Sequence, residues 1–298
     1  MKVCILMSTY NGEKYIEEQL KSIFEQTIWN DCVLIIRDDG SIDNTKQILN
    51  KYSSNKKISI IFGENLGYAG SFAKLLEIAP DADYYCYSDQ DDYWYPNKLE
   101  RGISFLEKED KNIPLMYFAD CDYTDKNLNI TGKRILDYEN FSFEKSLFDC
   151  WALGFTQIIN KKLRNMQIQA SNRVIHDHFS EILSIAFGKQ IHDIWSCAKY
   201  RRHENTVTTS RNQVLKNKIV LLKKVFTKNG LKNSKEFSAL NDIYGLMLPE
   251  KQRNMIYSLS KDKRQIKDTI RLTFYKGRFK NKLSKEILLR FLFLINKI

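Results

Sequence analysis

No stretch of this chain approaches the roughly 18 to 20 apolar residues that a helix needs to cross a bilayer. The nearest, Ile287 to Ile295, is short and interrupted by Arg290, so no transmembrane helix is expected. The first apolar run, VCILM, is too short for the core of a secretory signal, so a cytoplasmic protein is expected. Six cysteines lie scattered with no CxxC pair, which speaks against a zinc site or a disulfide framework and for reduced, largely apolar thiols. A GxGxxG loop is missing after the first strand, against a dehydrogenase. So is a Gly-rich loop with Arg and Lys, against a sugar-phosphate nucleotidyltransferase. Internal repeats and low-complexity linkers are also absent.

What is present begins with an uneven charge. The net +11 splits at about residue 210: residues 1–210 carry 25 Lys and Arg against 30 Asp and Glu, whereas residues 211–298 carry 22 against 6. The composition shift sets the expected division, a catalytic-type domain over 1–210 and a basic helical extension over 211–298. In the first hundred residues, strand patterns at Val3 to Met7, Val33 to Arg37, Ile58 to Phe62 and Tyr84 to Tyr87 alternate with helical patterns at about 13–27, 44–52 and 69–79. Such alternation predicts an α/β fold with a Rossmann-like, mainly parallel sheet flanked by helices. Beyond it, Leu115 to Cys121 and Gly154 to Ile159 read as strands, Asn127 to Thr131 as part of a hairpin, and Asp177 to Phe187 as a helix.

Ligands of open α/β sheets bind beyond the carboxyl ends of the strands, and the polar motifs fall there. Asp89, Asp91 and Asp92 crowd three carboxylates into four residues after the fourth strand. A hard divalent cation with open positions for phosphate would relieve their repulsion; a turn, or a cap from Asp92 on a helix near Pro96, is the plainer alternative. After the second strand, Asp43 and Thr45 suit a turn and a helix start. Asp39 suits the N–H of a pyrimidine or a ribose hydroxyl. Tyr10, after the first strand, offers a flat face for a base.

Taken in order, STYNG, RDDGSIDNT, NLGYAGSF and YSDQDDYWYPNKL resemble the N-terminal half of family 2 glycosyltransferases, which have the GT-A fold. SDQDD followed by Tyr93 and Trp94 is similar to the bacterial rhamnosyltransferase-like subgroup of surface-polysaccharide synthesis. The resemblance spans about residues 1–210. It implies an inverting, metal-dependent transferase using Mn2+ or Mg2+ and a nucleotide-sugar donor, dTDP-rhamnose or a UDP-hexose. It implies donor contacts from Ser8, Thr9, Tyr10, Asp39 and Asp89, with Asn65, Gly67, Gly70 and Ser71 shaping the turn beside the donor. Asp91 or Asp92 would touch the metal. A catalytic base falls on Asp177, in the sequence Ile175-His176-Asp177-His178; an N-cap is its alternative, and His178 departs from the aromatic residue expected there. Tyr200 to Asn205 is similar to a downstream segment rich in Arg and His, with His203 as a metal or phosphate ligand. Trp94, Trp151 and Gly154 are candidates for the acceptor site.

The acceptor implied is a glycan or lipid-linked glycan. Lys216, Lys218, Lys223 and Lys224 among apolar residues, and Lys282 and Lys285 before Ile287, suit an anionic membrane surface and a peripheral place on the cytoplasmic face. Pairing with another subunit is the competing use of these helices. Nothing here matches a nucleic-acid-binding motif. A catalytically silent nucleotide-sugar-binding or scaffold protein is the alternative from a different class.

Overall fold

The computed structural model describes residues 1–136, 138, 141–202, 234–261 and 264–297. The chain divides into two compact units: residues 1–139 with 150–203, and residues 140–149 with 204–298.

The first unit is built on strands β1 (Val3–Thr9), β2 (Cys32–Asp38), β3 (Ile58–Phe62) and β4 (Tyr84–Ser88), which alternate with helices α1 (Ile16–Phe24), α2 (Thr45–Asn50) and α3 (Gly67–Ile78). β3, β2, β1 and β4 lie side by side and parallel. Val3 to Met7 are all fully buried, as a central parallel strand covered on both faces must be. Helix α1 turns Ile16, Gln19, Leu20 and Ile23 inward, the spacing of one helical face.

The second half changes the sheet's character. After β5 (Tyr93–Trp94) and α4 (Lys98–Leu106) come β6 (Leu115–Thr124), β7 (Ile130–Arg134), β8 (Ile158–Asn160), α6 (Lys161–Ile168), α7 (His176–Phe187) and β9 (Lys189–Arg201); α5 belongs to the other unit. β8 runs antiparallel to both β4 and β6, and β9 runs parallel to β6 and antiparallel to β5. The result is one mixed, mainly parallel nine-stranded sheet in the order β3-β2-β1-β4-β8-β6-β9-β5, with β7 paired to β6.

Most expected elements are present, with two differences in the sheet and one at a candidate site residue. Gly154–Thr156 is a 3-10 turn rather than the start of a strand. The thirteen-residue β9 was not anticipated, because KQIHDIWSCAKYR has no clean alternation and earns its place through pairing on both sides. Trp94, a candidate for the acceptor site, is instead fully buried, its ring centroid 3.3 Å from the Lys98 ammonium.

The second unit contains α5 (Phe143–Ser146), α8 (Ser234–Tyr244), α9 (Glu250–Ser260), α10 (Ile266–Thr273) and α11 (Leu283–Leu294). Phe148 explains why residues 140–149 join it. Its ring centroid lies 5.6, 5.4 and 5.8 Å from those of Phe237, Phe279 and Phe293, and Lys280 bridges to Asp149 at 2.6 Å. Among the described residues no helix is long and apolar enough to cross a membrane.

Candidate active site

β2, β1 and β4 are neighbours in the sheet, and their carboxyl ends carry most of the candidate residues. The chain leaves β1 through exposed Tyr10 and through Asn11, whose φ of 49° lies in the left-handed region. Four bonds lace this loop to the turn after β2. The Asn11 N–H donates to Ser41 Oγ at 2.9 Å, Gly12 N–H to Thr45 Oγ1 at 2.8 Å and Glu13 N–H to Asp43 Oδ2 at 3.1 Å. In return, Ile42 N–H donates to Asn11 Oδ1 at 2.9 Å. Gly40 turns the chain at φ 84°, with the Asn65 nitrogen 3.1 Å from where a Cβ would stand, a position that glycine alone fills without strain. Ser41, Asp43 and Thr45 thus hold two loops together.

Asp39 is buried and engaged. Its Oδ1 pairs with Arg37 Nη1 and accepts the Leu66 N–H at 2.9 Å. Arg37 also reaches Ser71 Oγ at 3.2 Å and the Glu64 carbonyl at 2.8 Å, and Ser8 Oγ donates to Ser71 Oγ at 2.6 Å. Ser8, Asp39 and Ser71 therefore form one network around Arg37, which the motif reading passed over. A charged side chain inside an apolar strand was its signal, because a buried guanidinium requires acceptors. Gly70 lies in α3 beside Ser71, and a Cβ there would stand 2.8 Å from Leu66 Cβ.

After β4 the acidic turn is clamped by its one neutral member. Gln90 Oε1 accepts from Thr9 Oγ1 at 2.6 Å and from the Tyr10 N–H at 2.8 Å, while its Nε2 donates to the Tyr10 carbonyl at 3.0 Å. Gln90 thereby fixes Asp89 and Asp91 against the β1 loop. Arg201, at the end of β9, braces the turn from the other side. Its Nε donates to the Asp91 carbonyl at 2.8 Å, its fork pairs with Glu18, and the guanidinium lies 4.4 Å from the Tyr15 ring centroid. Only 2% exposed, Arg201 is neither a solvated loop residue nor open to a phosphate. His203, in the same segment, lies outside the described residues.

The three carboxylates separate in environment. Asp92 is fully buried; its Oδ1 accepts the Arg201 N–H at 3.3 Å and its Oδ2 meets no partner. Burial, then the charges of Asp91 and Asp89, hold Asp92 well above the usual carboxylate range. Asp89 is partly exposed, and its carboxyl is pushed up to about 7 by burial and then by the charges of Asp91 and Asp177. Neither Asp89 nor Asp92 has a salt-bridge partner among the described residues. The nearby Lys98 ammonium is buried, bonds to the Phe155 carbonyl, and has its pKa lowered by burial. Asp92 caps no helix: the cap residue of α4 is Asn97, with no side-chain bond.

Asp177 reaches the same neighbourhood from α7, in whose first turn it lies. The cap position is Ile175, so the N-cap alternative for Asp177 is not realised. Its Oδ1 accepts the His178 N–H at 2.8 Å, and a Cβ at Gly154 would come within 3.6 Å of its Oδ2. Glycine at 154 thus leaves space beside that carboxylate. Behind it, buried His176 lies 4.0 Å from Phe72 and 4.5 Å from Tyr87 between ring centroids, with its pKa lowered by burial. One turn on, buried Glu181 accepts the Trp151 and Ala152 N–H groups, each at 2.9 Å. The site therefore joins Tyr10, Asp89, Asp91 and Asp177, with Ser8, Thr9 and Asp39 in supporting bonds.

A divalent cation fits part of this set. The partnerless Asp92 Oδ2 and the mutual repulsion of Asp89, Asp91 and Asp92 mark a turn short of positive charge. Among the described residues no three His, Cys, Asp or Glu side chains form a metal cage. One or two of these carboxylates would suit an ion whose remaining positions are filled by phosphate oxygens and water.

Residues 4–182 match the family model described as Glycosyl transferase family 2. The dTDP-rhamnosyl transferase RfbG of Shigella flexneri is 32% identical over 222 residues, which cover 67% of this chain and 72% of that protein. The UDP-Glc:alpha-D-GlcNAc-diphosphoundecaprenol beta-1,3-glucosyltransferase WfgD of Escherichia coli is 29% identical over 219 residues, 72% of this chain and 82% of that protein. Among solved structures, S. aureus TarS 1-349 superposes with a TM-score of 0.58 at 14% identity, over all of this chain and 81% of that one. The fold is the mixed, mainly parallel α/β arrangement of GT-A glycosyltransferases.

Proposed function

The chain belongs to glycosyl transferase family 2, and we propose that it transfers a sugar, with inversion, from a nucleotide-diphosphate donor to a hydroxyl of a lipid-linked glycan. The observation that carries this reading is the meeting of the first turn of α7 with the end of β4, where the His176 ring centroid lies 4.5 Å from that of Tyr87, bringing the neighbouring Asp177 towards the acidic turn. One carboxylate faces a cation-deficient turn from a different element, which suits two tasks, leaving-group stabilisation and proton acceptance.

Tyr10, exposed beside the Asp39 network, offers its ring to the base of the donor, and Asp89 takes the ribose and diphosphate side. Asp91 would hold Mn2+ or Mg2+, which when bound would supply charge neutralisation for the departing nucleoside diphosphate. Asp92, buried and held above the usual carboxylate range by that burial, supports the turn by accepting the Arg201 N–H. Asp177 accepts the proton of the acceptor hydroxyl as that oxygen attacks the anomeric carbon. dTDP-rhamnose and UDP-glucose are the first donors to try, because the named activities of the two relatives use them.

The test is a transfer assay with dTDP-, UDP- and GDP-sugars on short lipid-linked acceptors, with Mn2+, with Mg2+ and with chelator. The expected result is transfer from one donor class that chelator abolishes. Donor binding without transfer or hydrolysis under every condition, unchanged in Asp177→Asn, would instead show a silent nucleotide-sugar-binding protein.

A further inference from the structure

Helix α11 is apolar on more than the face it buries. Leu289, Leu292 and Phe293 point inward, and Glu286 anchors the helix by accepting the Phe279 and Lys280 N–H groups and pairing with Arg290. That inner face already does the packing. On the outer side Leu283, Ile287, Phe291 and Leu294 are exposed, Ile287 at 61% and Phe291 at 50%, at the spacing of one helical stripe. In the same unit α10 exposes Ile266 at 80% and Ile270, followed by Phe274 at 74%. Seven large apolar side chains so close in sequence exceed the scattered exposure of an ordinary surface.

The charges nearby decide what covers them. Lys267, Arg271, Lys276, Arg278, Lys282 and Lys285 are all exposed, and residues 211–298 carry 22 Lys and Arg against 6 Asp and Glu. A second copy would bring the same excess of positive charge against itself. An anionic bilayer complements both features at once, because it accepts apolar side chains below the headgroups and attracts the cations above them. We propose that the outer stripe of α11, with Ile266, Ile270 and Phe274, docks this protein in the plane of an anionic lipid surface without crossing it. The inference deepens the reading of the acceptor as lipid-linked and rests on it for its purpose; the docking itself is measured with no sugar present.

Flotation of the full chain with vesicles of phosphatidylcholine alone, and of phosphatidylcholine with phosphatidylglycerol, tests it. The wild-type protein is expected to float with the anionic vesicles, less so at high salt, and to stay behind with the neutral ones. Ile287→Ser/Phe291→Ser should lose at least about tenfold in partitioning, and Lys282→Gln/Lys285→Gln about 30-fold at low salt. Melting temperatures and transfer to a soluble acceptor should match the wild type in both variants, so a failed docking is distinguishable from a failed transferase reading. Equal flotation of wild type and both variants would overturn the proposal. So would a lipid-free dimer, seen by sedimentation, that Ile287→Ser/Phe291→Ser dissociates.

Discussion

Two acidic turns flank β1, one after β2 and one after β4, and they treat their carboxylates differently. After β2, Asp39 closes on Arg37, and the guanidinium spreads its remaining bonds over Ser71 and Glu64. After β4, Asp89 and Asp92 have no such partner, and each is raised by burial and by neighbouring carboxylates. In the first turn Asp39 has its own cation, although the buried Asp38 Oδ2 meets no partner; in the second neither Asp89 nor Asp92 is paired among the described residues, at the place where a strand end meets α7. Such an imbalance suits a place that a charged ligand would complete, which is the role proposed for the second turn.

Removing the group that faces the deficient turn gives the largest expected effect. Asp177→Asn should lower kcat by about 10²- to 10⁴-fold, with donor affinity and melting temperature close to wild type. A rate within a few-fold of wild type would end its assignment as base. The two adjacent carboxylates should then part company. Asp91→Asn is expected to raise the Mn2+ concentration for half-activation by more than about tenfold. Asp92→Asn, at a fully buried side chain whose Oδ1 is spent on the Arg201 N–H, should leave that concentration little changed. The reverse pattern would move the metal to Asp92.

Arg37→Met makes the first turn resemble the second. Breaking a buried pair by deleting one partner costs about 3–5 kcal/mol, read by urea denaturation. Adding Asp39→Asn should recover part of the loss, since it removes the stranded charge. If the single and double variants lose the same stability, the network around Ser71, rather than the charge on Asp39, is what Arg37 supports.

The parallel half of the sheet was legible because its strands are near-continuous apolar runs separated by helical periods; Val3 to Met7 needs no tertiary knowledge to be read. β9 was not legible, since its polar residues are stabilised by neighbours more than sixty residues away in sequence, as with Asp193 against Arg101 and Tyr117. At the site, residue types and strand ends pointed to Tyr10, Asp39, Asp89 and Asp91, while Asp177, in the first turn of a helix, was reached only through the family resemblance. What they could not reveal is how many motif letters are mortar. Ser41, Thr45 and Gln90 sit inside the same motifs and spend their hydrogen bonds on loop-to-loop contacts. Spacing does not say which side of a turn a carboxylate faces, so Asp91 and Asp92 separated only once Arg201 was seen against the turn.

Glu181 extends the comparison to α7 at a smaller scale. Its Oε2 serves two backbone N–H groups while its Oε1 has no partner, and burial pushes its carboxyl up to about 7. An acid whose folded pKa exceeds its unfolded value holds its proton more tightly in the folded state. Its folded-state advantage is therefore present at low pH and lost as pH rises through about 7. Glu181→Gln retains an acceptor for both N–H groups and never ionises. It should match the wild type near pH 5 and exceed it at pH 8 by on the order of 2 kcal/mol. Coincident stability curves for the two proteins from pH 5 to 8 would mean that Glu181 keeps its charge at little cost, and that α7 does not share the charge deficit of the acidic turn.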